Sequence, residues 1–159
     1  MTEIPTEGGK LYLATVIDCC TREVIGWSMA SHMRADLVCD AITMAHDKNL
    51  ITPDAIFHSD RGTQYTSNQF TTHLQNLDIK ASMGRRGQCW DNALAESFFA
   101  ALKNELVYRT AFPTRKHARH AIAEYIVVFY NRVRIHSGIG YQAPTEAAHN
   151  HRQEPTKAA

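Results

Sequence analysis

The sequence has little that suggests a membrane or an extracellular setting. None of its 159 residues fall in an apolar run near the ~20 needed to cross a bilayer. Its opening, MTEIPTEGGK, lacks the apolar stretch of a secretory signal. There are four cysteines, Cys19, Cys20, Cys39 and Cys89, with no C-x-x-C pair. Neither a zinc site nor a disulfide framework is indicated, and the expectation is a cytoplasmic protein with buried or spare thiols. A large excess of charge is also missing. A net charge of +1 gives no nucleic-acid footprint by itself. There is no internal repeat. What remains is 44% apolar and 21% charged residues, the composition of a globular chain long enough for one domain with a core.

The basic residues are clustered rather than abundant. Arg85 and Arg86 sit together, Arg115, Lys116, His117, Arg119 and His120 form a second group, and Arg132, Arg134 and His136 a third. Such groups are either solvated helix faces or DNA-facing patches whose charge is offset by carboxylates elsewhere.

Patterning predicts an α/β chain. KLYLATVID (10–18) is apolar on both alternating sets, as a central strand is. EVIGWSMA (23–30) is a second strand, joined through CCTR as an antiparallel hairpin. Val38, Ala41, Ile42 and Ala45 fall at helical spacing over 36–49. A short buried strand is expected over 55–60 after Pro53-Asp54. A helix capped by Ser67 or Asn68 runs to Leu77, and a strand comes next over 79–83. GRRGQCW (84–90) reads as a glycine-bounded loop, and Asp91-Asn92 caps a helix to about Val107. Pro113-Thr114 opens a long helix to about Val133, with Ala118, Ile122, Tyr125 and Phe129 as its inner stripe. From Arg134 onward the chain reads as polar and extended, with a core over 1–148 and a flexible tail over 149–159. Strands joined through helices after an opening hairpin imply a mixed sheet flanked by helices. MTEIPT reads as the remainder of a truncated first strand.

Two carboxylates stand out by placement. Asp60 ends a buried strand in HSDRGTQYTS. Glu96 lies two residues, about 200°, from Leu94 on a helix whose core stripe is Leu94, Phe98, Leu102 and Leu106, so it points outward. Lys103 shares that face two turns on. Each has a plain structural reading: Asp before Gly is a turn residue, and Glu near a helix start favours the dipole. As a pair they are hard oxygen donors of the kind that bind divalent metals and support in-line displacement at phosphorus.

HSDRGTQYTS, SMGRRGQCWDNALAESFFAALKNEL and YNRVRIHSGIGYQAPTEA together resemble the catalytic subunit of insertion-sequence transposases of the family numbered three, over Thr2 to about Ala148. That family belongs to the DDE transposase and retroviral integrase group. The resemblance implies a ribonuclease-H-like fold, with Asp60 and Glu96 as the second and third catalytic carboxylates. It implies Mg²⁺, with Mn²⁺ as substitute, and strand cleavage and strand transfer at element ends. The family pattern W-x-x-D-I-T places its first catalytic Asp just before Met1. Asp18, in VIDCCTREVIGW, matches a motif on the second strand. The hairpin brings it beside the start of the first strand, so it either contacts metal or terminates its strand and orders the turn.

Further expectations rest on position and resemblance. Arg85 and Arg86 are placed to touch DNA phosphates. Lys103 resembles the lysine that meets terminal DNA in integrases. Asn92 caps its helix or helps hold a phosphate. Gln64 and Tyr65 either meet DNA or pack their own loop, and Trp90 is a DNA-facing or hinge residue. His58 is expected to be hydrogen-bonded rather than a ligand, and His149-Asn150-His151 to be a coincidental HNH. Tyr130, Asn131 and His136 match a family motif with no role readable from sequence. Implied partners are DNA at element ends and targets, a helix-turn-helix subunit or N-terminal region, and further copies of the chain, with no membrane. The implied setting is bacterial cytoplasm, at the nucleoid. The alternative is an inactive remnant that binds DNA or a partner subunit without chemistry.

Overall fold

The computed structural model describes residues 1–83 and 93–153. In chain order these form β1 (Thr2–Ile4), β2 (Leu11–Ile17), β3 (Val24–Ala30), α1 (Ala35–Asp47), β4 (Ile56–Ser59), α2 (Asn68–Asn76), β5 (Lys80–Met83), α3 (Ala93–Glu105), α4 (Arg115–Glu124) and α5 (Pro144–Gln153). Strands β1, β2 and β3 make an antiparallel sheet in that order. β4 and β5 pair in parallel, joined through α2 as a parallel pair requires.

β2 is covered on both faces, which is why both its alternating sets are apolar. Leu11 and Leu13 enter a core with Phe98 and Leu102 of α3 and Ala118 and Ile122 of α4. Ala14 and Val16 enter a second core with α1 and α2, through Leu37, Ile42, Phe70 and Leu74. Helix α1 lies close on β3 because Gly26 carries no side chain: a Cβ there would be 2.2 Å from the Ala41 carbonyl oxygen. The β2–β3 register shifts between Val16 and Ile17, one residue before Asp18. A bulge of this kind bends a strand end and re-aims the side chains next to it. Ser67, rather than Asn68, caps α2, its hydroxyl accepting the Phe70 N–H at 3.2 Å.

Three expectations are corrected. The strand expected to be buried over 55–60 is β4, in which only Ser59 is buried and Ile56 is 68% exposed. The helix predicted to Val133 is α-helical only to Glu124; Tyr125–Tyr130 is a π-helical turn. The Asn131 N–H reaches back five residues to the Ile126 carbonyl. The wider turn shifts the inward stripe by one residue, burying Ile126 and Tyr130 and leaving Phe129 41% exposed. The extended stretch predicted from Arg134 instead holds a 3-10 turn at Ser137–Ile139 and helix α5. Helix α5 crosses the boundary predicted at 148 and buries only Pro144 and Ala148, so its sequence reads as polar. No helix among the described residues is long and apolar enough to cross a membrane.

Candidate active site

The end of β4 delivers Asp60 to one cleft wall, and α3 delivers Glu96 to another. Asp18 comes just after the bulge, at the end of β2. All three carboxylates line one cleft of about 490 Å³, together with Thr15, His58 and Tyr65. Asp60 is exposed, and its Oδ1 accepts the Gly62 N–H at 2.8 Å. A Cβ at position 62 would lie 2.9 Å from that oxygen, so the glycine makes room for the carboxylate of Asp60 itself. Glu96 is exposed, with no hydrogen bond or ion pair to another described residue. Asp18 is committed to its turn: Oδ1 accepts the Cys20 N–H at 3.0 Å, and Oδ2 the Thr21 hydroxyl at 2.7 Å.

The donor type is that of a hard divalent-cation site, because the carboxylates of Asp18, Asp60 and Glu96 line one cleft. Thr15 also lines the cleft. Its hydroxyl is buried at the cleft and finds no partner among the described residues. Sequence reasoning passed over Thr15; the one available signal was a polar side chain inside LYLATVI. Among the described residues, no three of His, Cys, Asp and Glu stand close enough together to hold a metal as a group.

The structure separates the other candidates. Lys103 lies two turns beyond Glu96 on α3, outside the cleft lining. The Gln64 side-chain amide donates to the Met33 carbonyl at 3.1 Å, tying the Asp60 loop to the segment before α1. Tyr65 packs its own loop, its ring 6.3 Å from Phe57 and 5.5 Å edge-on to Phe70. Burial, aided by the Asp60 charge, pushes its phenol up to about 12. His58 bridges the parallel pair through Ser82 Oγ at 3.1 Å. His149 and His151 make separate contacts, with Gln153 and Cys20, so they share no site. In the second basic group, Arg115 and Arg119 donate to the backbone carbonyls of Lys10 and Met29. Arg85, Arg86, Trp90 and Asn92 lie outside the described residues.

Residues 1–89 match a family described as Integrase core domain, and residues 77–144 match a second family of the same description. The chain belongs to the integrase core family. It is 43% identical over 146 residues to the transposase for insertion sequence element IS904 of Lactococcus lactis subsp. lactis (strain IL1403), covering 92% of this chain and 58% of that protein. It is 42% identical over 146 residues to transposase InsF for insertion sequence IS3A of Escherichia coli (strain K12), covering 92% of this chain and 51% of that one. The integrase core thus spans little more than half the length of these relatives.

Solved structures agree on the fold. The HTLV-2 integrase catalytic core domain in complex with magnesium (trimeric form) superposes with a TM-score of 0.68 at 15% identity, covering 92% of this chain and 90% of that one. A chain of the simian T-cell lymphotropic virus intasome in complex with PP2A regulatory subunit B56 gamma gives 0.75 at 14% identity, covering 99% and 55%. The fold is therefore the mixed α/β, ribonuclease-H-like integrase core expected from the motifs.

Proposed function

We propose that this integrase core carries the catalytic carboxylates of an insertion-sequence transposase and acts on DNA strands. One observation carries the reading: Asp60 and Glu96, from elements far apart in sequence, line the same cleft. Both carboxylates would hold Mg²⁺, or Mn²⁺ in its place, and Asp18 lines the same cleft as a third. Bound divalent cations supply activation of the attacking oxygen and neutralise charge at phosphorus.

The chemistry is two in-line displacements. In the first, water attacks a phosphodiester at an element end, the P–O3′ bond breaks, and a free 3′-hydroxyl and a 5′-phosphate result. In the second, that 3′-hydroxyl oxygen attacks a target phosphodiester, one P–O bond forms and one breaks, and a target 3′-hydroxyl leaves. Protons pass to solvent, and no covalent protein–DNA bond is needed. Arg85, Arg86, Asn92 and Lys103 contact the DNA backbone, and Gln64 holds the Asp60 loop. The partners are element and target DNA, a helix-turn-helix region or subunit, and further copies of the chain, working at the bacterial chromosome.

A second reading, a DNA- or partner-binding form without chemistry, is favoured by the absence of a three-residue metal cluster among the described residues. Mn²⁺-dependent cleavage and joining of short duplex DNA separates the two. Products that disappear in Glu96→Gln support catalysis. A folded protein that binds DNA without forming products, with or without Glu96, supports the second reading.

A further inference from the structure

The motif from Tyr130 to His136 has no side chain in the cleft lining, yet it touches α3 and the residue that follows the Asp18 turn, and so two of the three places that bring carboxylates there. The Asn131 side chain pairs with both backbone groups of Val24: Oδ1 accepts its N–H and Nδ2 donates to its carbonyl, each at 3.0 Å. Val24 comes directly after the turn that begins at Asp18, and the turn closes by Asp18 N–H to Glu23 carbonyl at 2.9 Å. The same turn is held twice more from the C-terminal side. The Arg22 guanidinium lies where a Gly138 side chain would be, and Arg152 reaches Glu23 at 3.7 Å. The Asn131 carbonyl accepts the Thr145 N–H at 2.8 Å, which joins this segment to α5.

The other half of the segment grips α3. The Tyr130 ring meets Phe98 edge-on at 4.8 Å, two residues beyond Glu96. Arg134 Nε donates to both oxygens of Glu105, at 2.9 and 3.2 Å, and the Tyr125 hydroxyl donates to Glu105 Oε2 at 2.7 Å. One short segment thus holds the Asp18 turn with one side chain and the Glu96 helix with its neighbours. A buried amide paired with both backbone groups of one residue, and a half-buried charge-assisted pair, restrict the geometry of the elements they join.

We propose that Tyr130–Arg134 is a brace that sets the spacing between the Asp18 turn and the Glu96 helix, with Asn131 and Arg134 as positioning residues for the metal cleft. This rests on the reading of that cleft as a divalent-metal site. Loss of outer support for metal-binding side chains typically costs at least tenfold in affinity.

Mn²⁺ titration followed by electron paramagnetic resonance of the free ion tests it on the whole chain without an activity assay. Wild type binds Mn²⁺, and Asp60→Asn and Glu96→Gln lose it. Asn131→Ala and Arg134→Lys bind about tenfold more weakly. An Ile42→Val or Ile42→Ala control, chosen to match their loss in Tm from the opposite core, binds as wild type does. Brace variants that bind as tightly as the Ile42 control overturn the brace while leaving the metal cleft standing. If Asn131→Ala does not fold, Arg134→Lys carries the same comparison. A wild type that binds no Mn²⁺, or carboxylate variants that bind as wild type does, overturn the cleft reading and the brace with it.

Discussion

Asp60 Oδ1 accepts the Gly62 N–H at 2.8 Å, and the same oxygen occupies the space a side chain at 62 would need. The conformation of the carboxylate and the identity of its neighbour are therefore one constraint. Gly62→Ala brings a methyl to 2.9 Å from Oδ1. What must yield is the end of a short exposed side chain rather than backbone. The expected outcome is a Tm change of no more than about 2–4 °C, the equivalent of ~1 kcal/mol in a chain of this size, with Mn²⁺ affinity and Mn²⁺-dependent strand cleavage falling well below wild type. Calorimetry beside the Mn²⁺ titration checks it. Unchanged metal binding would mean that Asp60 is free to turn away from residue 62 at no cost.

Gly26 makes the opposite case, where the obstacle is backbone. Its missing Cβ would be 2.2 Å from the Ala41 carbonyl oxygen and 3.0 Å from the Ala45 Cβ. α1 has to lift off β3 to admit one methyl. Gly26→Ala is expected to destabilise by about 2–3 kcal/mol, a Tm drop on the order of 4–12 °C. The wall it moves carries no cleft carboxylate, so Mn²⁺ affinity measured below the new Tm should stay at the wild-type value. A stable Gly26→Ala variant would show that α1 packs less tightly on the sheet than this contact implies.

The features legible in the sequence came from regular periods and local chemistry. β2 was legible because burial on both faces leaves an unbroken apolar run, and α2 because Ser67 caps its N-terminus through a hydroxyl. Asp60 and Glu96 were legible as a pair because one ends a strand and the other stands off the Phe98–Leu102 stripe. The turn at Tyr125 was not. Extrapolating a 3.6-residue period past it puts Phe129 inside, and one extra residue per turn puts Tyr130 there instead. Helix α5 was hidden because its contacts are few and polar, such as Arg152 to Glu23. The role of Asn131 depends on a strand 107 residues away, which no local pattern encodes.

His136 gives this C-terminal region a pH dependence whose sign can be worked out. Its ring packs edge-on to Tyr130 at 4.9 Å, and both ring nitrogens lie within 3.3–3.4 Å of Arg134 Nη1. Burial, then the positive charges of Arg134 and Arg22, lower its pKa below the ordinary 6.5, and Glu105 opposes them. A histidine depressed in the folded state takes up its proton more readily when unfolded. Between its folded value and 6.5 the unfolded chain therefore holds more protons, and stability rises with pH across that window. The contribution is complete above 6.5 and is lost as pH falls toward the folded value. Tm measured in steps from neutral to mildly acidic pH should decline in wild type. In His136→Gln, whose amide still accepts from Arg134 but does not titrate, the decline should be shallower. Parallel curves for the two proteins would mean that the imidazole is as easily charged in the fold as outside it.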